Sequence, residues 1–523
     1  MKLPTVAPTA LDRVIGYFSP RAGLERIQAR GALALVGGLG GYAGARADRR
    51  PTAGWYPYGG SANADSLRDL PALRSRSRDL DRNAPLASGA IASVVGNVVG
   101  TGLWPRPQID RELLGWDEER ADAWEKQAGR LFALWAGSPE CDLTRSQTFE
   151  EIQALALRSV LTSGDVLLVK RFVERPGSPF GLKLQVIEAD RISNPNRAPD
   201  TETLLAGVEI DHNGAPLAYH VSARHPGERM LTAQDWARIP VFAPASGRRN
   251  AIHLFERLRP DQARGIPFLA PVIEHFRQLS QYSEAEITAA VVNACFAIGI
   301  KSEEGASSLE HQAAGDGGKA PISIVDPGTV IDLAENEEIQ SFTPGRPSAA
   351  FDPFVTAVVR QIGVALELPY EVLIKHFTAS YSASRAALEM AGQFFRRRRY
   401  RLTTGLCQPI YEDVLIEAIA RGWIQAPGFF EDPLLRAAYC GCDWIGDAPI
   451  QLDPVKEATA AEKWAALGVK TLSEITAAVT GGDWEAKLPL RAKEERKRRE
   501  AGLGEAAAAA PAPAIAAPID SED

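Results

Sequence analysis

Pro267-Phe268-Leu269-Ala270-Pro271-Val272-Ile273-Glu274-His275-Phe276-Arg277-Gln278-Leu279 opens the stretch that decides the fold. Phe268, Leu269, Val272, Ile273, Phe276 and Leu279 recur at helical spacing, which predicts a long helix from Pro267 to about Cys295. Residues 302–320 downstream are polar and Gly-rich and read as a mobile tip. Short strands are expected at Ile322–Val325 and Val330–Leu333, joined through Pro327-Gly328. Asp352-Pro353 then starts a second helix, because Asp caps and Pro is tolerated in a first turn. Its Phe354, Val355, Val358, Val359, Ile362 and Leu366 face one way. After a loop over roughly Leu368–Ser382, the longest helix is expected from Ala383 to about Ala420, kinked at Pro409 and ended by Gly422. The order is helix, β insertion, helix, loop, kinked helix. A long helix pair with a β-rich tip makes a poor closed globule. It makes a good stave of a ring, in which neighbouring copies supply the missing burial.

Upstream, Leu67, Leu70 and Leu73 begin a helical pattern, and further helices are expected over Ala84–Val99 and 117–136. Thr148-Phe149-Glu150-Glu151 has the form of a capping box in front of another. Strands follow at Val166–Lys170, Leu182–Glu188, Gly207–Ile210 and Ala218–Val221, with Asn213-Gly214 as a hairpin turn. The block 67–255 is therefore α+β. Residues 1–66, rich in Gly, Pro, Ala and Arg, read as a flexible arm whose Trp55, Tyr56 and Tyr58 dock on a neighbour. A helical region is expected over 453–479, and the Ala/Pro-rich end from Ala501 reads as disordered.

The whole-chain totals exclude several classes. A net charge of −8 over 523 residues is wrong for a protein that grips DNA over its whole surface, so any DNA contact is local or weak. Five cysteines at 141, 295, 407, 440 and 442 have irregular spacing, which argues against a disulfide framework. Cys440-Gly441-Cys442 lacks the spacing and the second pair of a zinc site. No apolar window is long enough to span a membrane. Gly317-Gly318-Lys319-Ala320, the nearest approach to a Walker A loop, lacks the Ser or Thr that holds Mg²⁺. There is no His-Glu-x-x-His and no Gly-x-Ser-x-Gly elbow, and the seven histidines are scattered. No cofactor, metal or catalytic residue is expected, and the chain does not read as an enzyme.

Several stretches, in order, resemble the portal proteins of lambda-type phages. They are Ala64-Asp65-Ser66-Leu67, the run Leu73-Arg74-Ser75-Arg76-Ser77-Arg78-Asp79-Leu80, Gly164-Asp165-Val166-Leu167-Leu168, and Gln185 to Ile192. The strongest is Ile252-His253-Leu254-Phe255-Glu256-Arg257-Leu258-Arg259-Pro260-Asp261-Gln262-Ala263-Arg264-Gly265-Ile266-Pro267, which leads directly into the long helix. Leu368-Pro369-Tyr370-Glu371 and Tyr381-Ser382-Ala383-Ser384-Arg385 complete the set; Ser380 and Ala383 depart from the family's usual residues there.

The resemblance covers about residues 64–500 and implies an α+β portal-type fold assembled as a ring. Its implied parts are an N-terminal arm (1–66), an α/β wing (67–266), a two-helix stem (267–299 and 346–366) and a small β-containing clip (300–345). A tunnel loop (367–383), a kinked helix (384–452), a helical crown (453–500) and a tail (501–523) complete it. It further implies a dodecamer at one capsid vertex that passes double-stranded DNA in packaging and ejection. The implied partners are the terminase large subunit, major capsid and scaffold proteins and head–tail connector proteins. The implied location is the virion, with assembly in the host cytoplasm and no membrane. A scaffold or head-completion protein is the alternative, and a packaging or maturation enzyme a more distant one.

Under this reading, His376, Phe377, Thr378, Ser380, Tyr381 and Ser382 form a DNA-channel loop; an ordinary helix–helix connection is the competing explanation. Arg396, Arg397, Arg398, Arg399 and Arg401 are the densest basic run. Successive helical residues point around most of a helix, so these suit a salt-bridge belt between subunits, DNA contact or a solvated face. Arg74, Arg76 and Arg78 are expected to pair with acids such as Asp79 and Asp81, or with an adjacent subunit.

Overall fold

The stretch from Ile252 into the long helix sits at the junction of sheet and helices in the computed structural model. The structure describes residues 9–38, 50–52, 54–57, 59–228, 235–294, 298–302, 337–341, 351–377, 380–448 and 453–501. The chain divides into two units, 1–61 and 62–523. The smaller holds α1 (Ala10–Phe18) and α2 (Pro20–Gly38). Asp12, buried at the first turn of α1, accepts from the Thr9 N–H (2.8 Å) and from Arg26 Nε of α2 (3.0 Å). The expected flexible arm is thus helical over these residues, organised by one capping carboxylate.

In the larger unit, α3 (Leu70–Asn83), α4 (Pro85–Val98), α5 (Glu118–Ala136) and α6 (Phe149–Ser163) lead into β2 (Asp165–Phe172) and β3 (Leu182–Glu188). A short β1 (Trp104–Pro107) precedes α5. Glu151 accepts from the Thr148 N–H at 2.7 Å, so the expected capping box forms. β4 (Leu204–Leu205), β5 (Val208–Ile210), β6 (Pro216–Ser222) and β7 (Trp236–Pro240) make a four-stranded antiparallel sheet. β8 (Ala251–Phe255) joins β2 and β3 in a second sheet of order β3-β2-β8. β2 separates two cores. Val166 and Leu168 face the main core with Ile91, Phe132, Phe149, Phe276, Ile362, Phe394 and Tyr411, whereas Leu167 and Val169 face Val208, Tyr219, Val221 and Ile239. Alternation along one strand therefore glues the four-stranded sheet to the helices, and it explains why the strand is apolar on both faces.

The long helix α7 runs Ile273–Ala294, entered through a 3-10 turn at Ala270–Val272. It starts later than periodicity suggests because Pro271 lies in that turn. β9 (Ile298–Ser302) pairs antiparallel with β10 (Glu337–Ser341), Ile300 opposite Ile339. The Gly-rich tip and the strands expected at 322–325 and 330–333 lie outside the described residues. α8 (Phe351–Ala365) begins two residues before Pro353, which places Asp352 inside the first turn and not at the cap. Residues Tyr370–Ile374 add a short helix where a plain loop was expected.

α9 (Tyr381–Leu402) continues through a π-helical turn, Thr403–Cys407, into α10 (Gln408–Ala420). The Gln408 N–H bonds Thr403 O, five residues back. The ladder thus widens just before Pro409, which has no N–H to give, and the expected kink is taken up as a π-bulge. β11 (Cys442–Ile445) pairs with β1. α11 (Pro454–Ala466), α12 (Leu472–Thr480) and α13 (Trp484–Glu500) follow, and none has a buried residue. The tail beyond Ala501 lies outside the described residues.

Candidate functional site

The two motifs Gly164-Asp165 and Gln262-Ala263-Arg264-Gly265, about a hundred residues apart in sequence, meet in one buried charge cluster. Asp165 opens β2 and is fully buried. It accepts from Arg264 Nε (2.6 Å) and Nη2 (3.1 Å), Arg74 Nη2 (2.8 Å) and the Gly265 N–H (3.2 Å), and it lies 3.1 Å from His253 Nε2. Arg264 spends its other donors on the carbonyls of Ile192 (2.8 Å), Ala206 (2.6 Å) and Ala189 (2.7 Å), and Arg74 donates to Ser163 O (2.7 Å). Burial pushes the Asp165 carboxyl up, but the guanidiniums of Arg264 and Arg74 outweigh it and hold the group well below the usual carboxylate range. Burial lowers Arg74 to about 10 and pulls the His253 imidazole below its ordinary 6.5 against the pull of Asp165.

The backbone closes on itself at the same place. A Cβ on Gly265 would stand 1.9 Å from Gly164 O, and one on Gly164 would stand 2.3 Å from Gly265 O, with Gly164 at φ +91°. The cluster ties α3, the three-stranded sheet and the entry to α7 together. Both carboxylate oxygens of Asp165 and all three side-chain nitrogens of Arg264 are taken up within the cluster. Arg74 and Arg78 thus find acids, but not those expected: Arg74 takes Asp165, and Arg78 takes Asp190 and Glu188 (3.3 Å). Asp81 pairs instead with Arg158 (2.9 Å). Glu188, Asp190 and His225 place ligand atoms within 4.8 Å of one another. The Arg78 guanidinium already sits on the two carboxylates as their cation.

In the expected channel loop, His376 and Phe377 follow the short helix and are exposed; Thr378 lies outside the described residues. Ser380 N-caps α9, its hydroxyl accepting from the Ala383 N–H (3.4 Å), so Tyr381 and Ser382 belong to the first helical turn. Lys456 Nζ of α11 lies 5.2 Å from the Tyr381 ring centroid, which brings the C-terminal helices to this end of α9.

The arginine run is largely committed within the chain. Arg397 pairs with Glu367, and Arg398 (3.2 Å) and Arg401 pair with Glu256. Arg398 also packs between Phe268 and Phe394, 4.7 and 4.6 Å from their centroids, and Arg399 donates to the carbonyls of Val98 and Asn97, both at 2.9 Å. Among the described residues Arg396 and Arg399 make no ion pair; Arg399 is taken up by backbone carbonyls, and Arg396 is exposed. Helical projection of the run around the axis, noted from sequence, accounts for this division of labour.

Large apolar side chains stand in solvent along the same long elements: Val364 is 82% exposed, Tyr400 69%, Met390 67%, Ile287 65% and Val291 59%. Further examples are Phe354 on α8 and Val455, Leu467, Val469 and Leu490 in the C-terminal helical region. Among the described residues nothing covers them. Among the described residues no helix is long and apolar enough to cross a membrane.

The described residues thus hold a buried charge cluster that ties sheet to helices and long helices that carry exposed apolar side chains. The model of the lambda family of phage portal proteins matches residues 48–399. The chain is 27% identical over 474 residues to portal protein B of Escherichia phage lambda, covering 86% of this chain and 88% of that one. It is 27% identical over 500 residues to the portal protein of Escherichia phage N15, covering 89% and 91%. A chain from the neck of a native gene transfer agent particle overlays with a TM-score of 0.42 at 14% identity, over 78% of this chain and 92% of that one. The chain belongs to the lambda family of phage portal proteins.

Proposed function

We propose that twelve copies of this chain close into a ring at one capsid vertex and form the channel through which double-stranded DNA is packaged and later ejected. The observation that carries the reading is the row of uncovered apolar side chains on α7, α8 and α9, with the wholly unburied C-terminal helices. Apolar area of this extent is stable in water only when something covers it, and identical neighbours are the economical cover. In this arrangement α7 and α8 are the stem, β9 and β10 the base of the clip, the two sheets with α3–α6 the wing, and α11–α13 the crown. His376, Phe377, Thr378 and Ser380 then line the tunnel, with Tyr381 and Ser382 as its helical hinge. Arg396 is the member of the arginine run left to reach a neighbour or the DNA. The clip meets the terminase large subunit during packaging and connector proteins afterwards, while the wing meets capsid and scaffold proteins. The ring itself catalyses nothing; it is assembled in the host cytoplasm and retained in the virion.

Negative-stain imaging with light scattering of the purified chain tests this. Annular particles with a central hole are expected. A protein that stays a compact monomer at every salt and protein concentration overturns it.

A further inference from the structure

At the C-terminal end of the central strand β2, that strand and the segment before β8 form a cleft of about 250 Å³ against α10. Lys170, Arg171, Arg248 and Arg249 line it with a single acid, Asp413. Asp413 is buried and accepts from both Lys170 and Arg248, so it fixes two of the cations side by side. Arg171 donates to Gln185 Oε1 (3.2 Å), and Arg249 stacks 5.5 Å from the Phe242 ring centroid. Four cations against one acid leave a surplus of three positive charges, local to a chain whose net charge is −8. Phe172 in the lining and Phe242 beside it are exposed, so the surface is both basic and apolar. None of these groups takes part in the charge cluster around Asp165 or in the faces assigned above to ring closure.

Cations beside exposed rings match a peptide that sets an apolar residue next to several acids better than they match a uniform phosphate backbone, which offers nothing to the rings. The chain itself carries such a peptide. Pro518-Ile519-Asp520-Ser521-Glu522-Asp523 has three carboxylate side chains beside one isoleucine. Residues 502–517, Ala- and Pro-rich apart from Gly502, Leu503, Gly504, Glu505 and Ile515, tether it to α13 with a span of up to about 55 Å when extended. We propose that this cleft is a peptide-docking site whose occupant is the acidic segment 518–523 of a copy of this chain.

The test uses the full-length chain and a fluorescein-labelled peptide of residues 515–523, read by anisotropy. In the wild type the resident segment, at high effective concentration, is expected to exclude the added peptide. In the triple variant Asp520→Asn, Glu522→Gln, Asp523→Asn the cleft is free, and salt-sensitive binding of the peptide appears. Adding Arg171→Glu and Arg249→Glu, both exposed side chains, to that variant weakens the binding about tenfold or more. The matched reversal Lys126→Glu with Arg130→Glu on α5 leaves it unchanged, which separates a local site from net charge. Absence of peptide binding in the triple variant overturns the proposal, as does equal loss in both reversals. If, in a parallel titration with a labelled short DNA duplex, the Arg171/Arg249 reversal weakens duplex binding but leaves peptide binding unchanged, the proposal is overturned and the cleft is marked as a nucleic-acid site. Ring formation is scored separately by imaging, and its outcome does not bear on the docking result.

Discussion

Where α3, β2 and the entry to α7 meet, the chain buries a carboxylate, two guanidiniums and an imidazole, each hydrogen-bonded. Between Asp453 and Ala501 it buries no residue at all. The first region is finished within one molecule; the second is not. Charge is tolerated in this cluster because its donors find acceptors, while the second region leaves apolar side chains in water, where the proposed ring would place a neighbour. Stability and assembly are therefore written in different parts of the chain and in opposite chemistries, and substitutions should separate them.

The largest effect is expected at the cluster. Asp165→Ala leaves Arg74 and Arg264 buried without their counterion and should cost about 3–5 kcal/mol, read as loss of soluble protein or a collapsed denaturant midpoint. Gly265→Ala, whose Cβ would press on Gly164 O, should cost about 1–3 kcal/mol in the same measurement.

Acidification sharpens the comparison further. The folded chain holds the His253 imidazole below 6.5, so as pH falls beneath that value the unfolded chain takes up a proton that the folded one refuses. The stability carried by neutral His253 is full above pH 6.5 and is lost on acidification towards its folded-state value. Asp165, held well below 3.8, adds a loss of the same sign below that pH. His253→Gln should flatten the fall in melting temperature between pH 6.5 and pH 4.5 relative to wild type.

The opposite region should behave in reverse. Val364→Ser and Met390→Ser remove exposed apolar groups and should change monomer stability by no more than about 0.5 kcal/mol while weakening ring formation in light scattering. Arg396→Glu, exposed and without a charged partner among the described residues, should leave the melt unchanged; a shift in assembly alone would assign it to a neighbour.

Much of the helical frame was legible because it rests on local signals. The apolar period after Pro267, the Thr148–Glu151 box and the Asn213-Gly214 turn each act over a few residues, and each forms the expected element. The charge cluster was not legible from the same signals. Arg74, Asp165 and Arg264 are 91 and 99 residues apart, and no periodicity links them. The resemblance did quote the segments that hold them, without saying that they touch. Pro409 announced a break but not its form, since a π-bulge depends on how the neighbouring turn repacks. The helices at 10–38 were hidden by composition: Gly and Ala flattened the periodicity, and the organising signal was a single capping Asp12. The candidate loop was half visible, because Ser380 is both a small polar loop residue and a good N-cap, and the structure uses it as the latter.

Gly164 and Gly265 bring two stretches of backbone into direct apposition, with no side chain between them. Side chains act as cushions: they change rotamer and absorb small displacements before the main chain feels them. Here there is no cushion, so a shift of the chain entering α7 is expected to reach the sheet directly through the main chain.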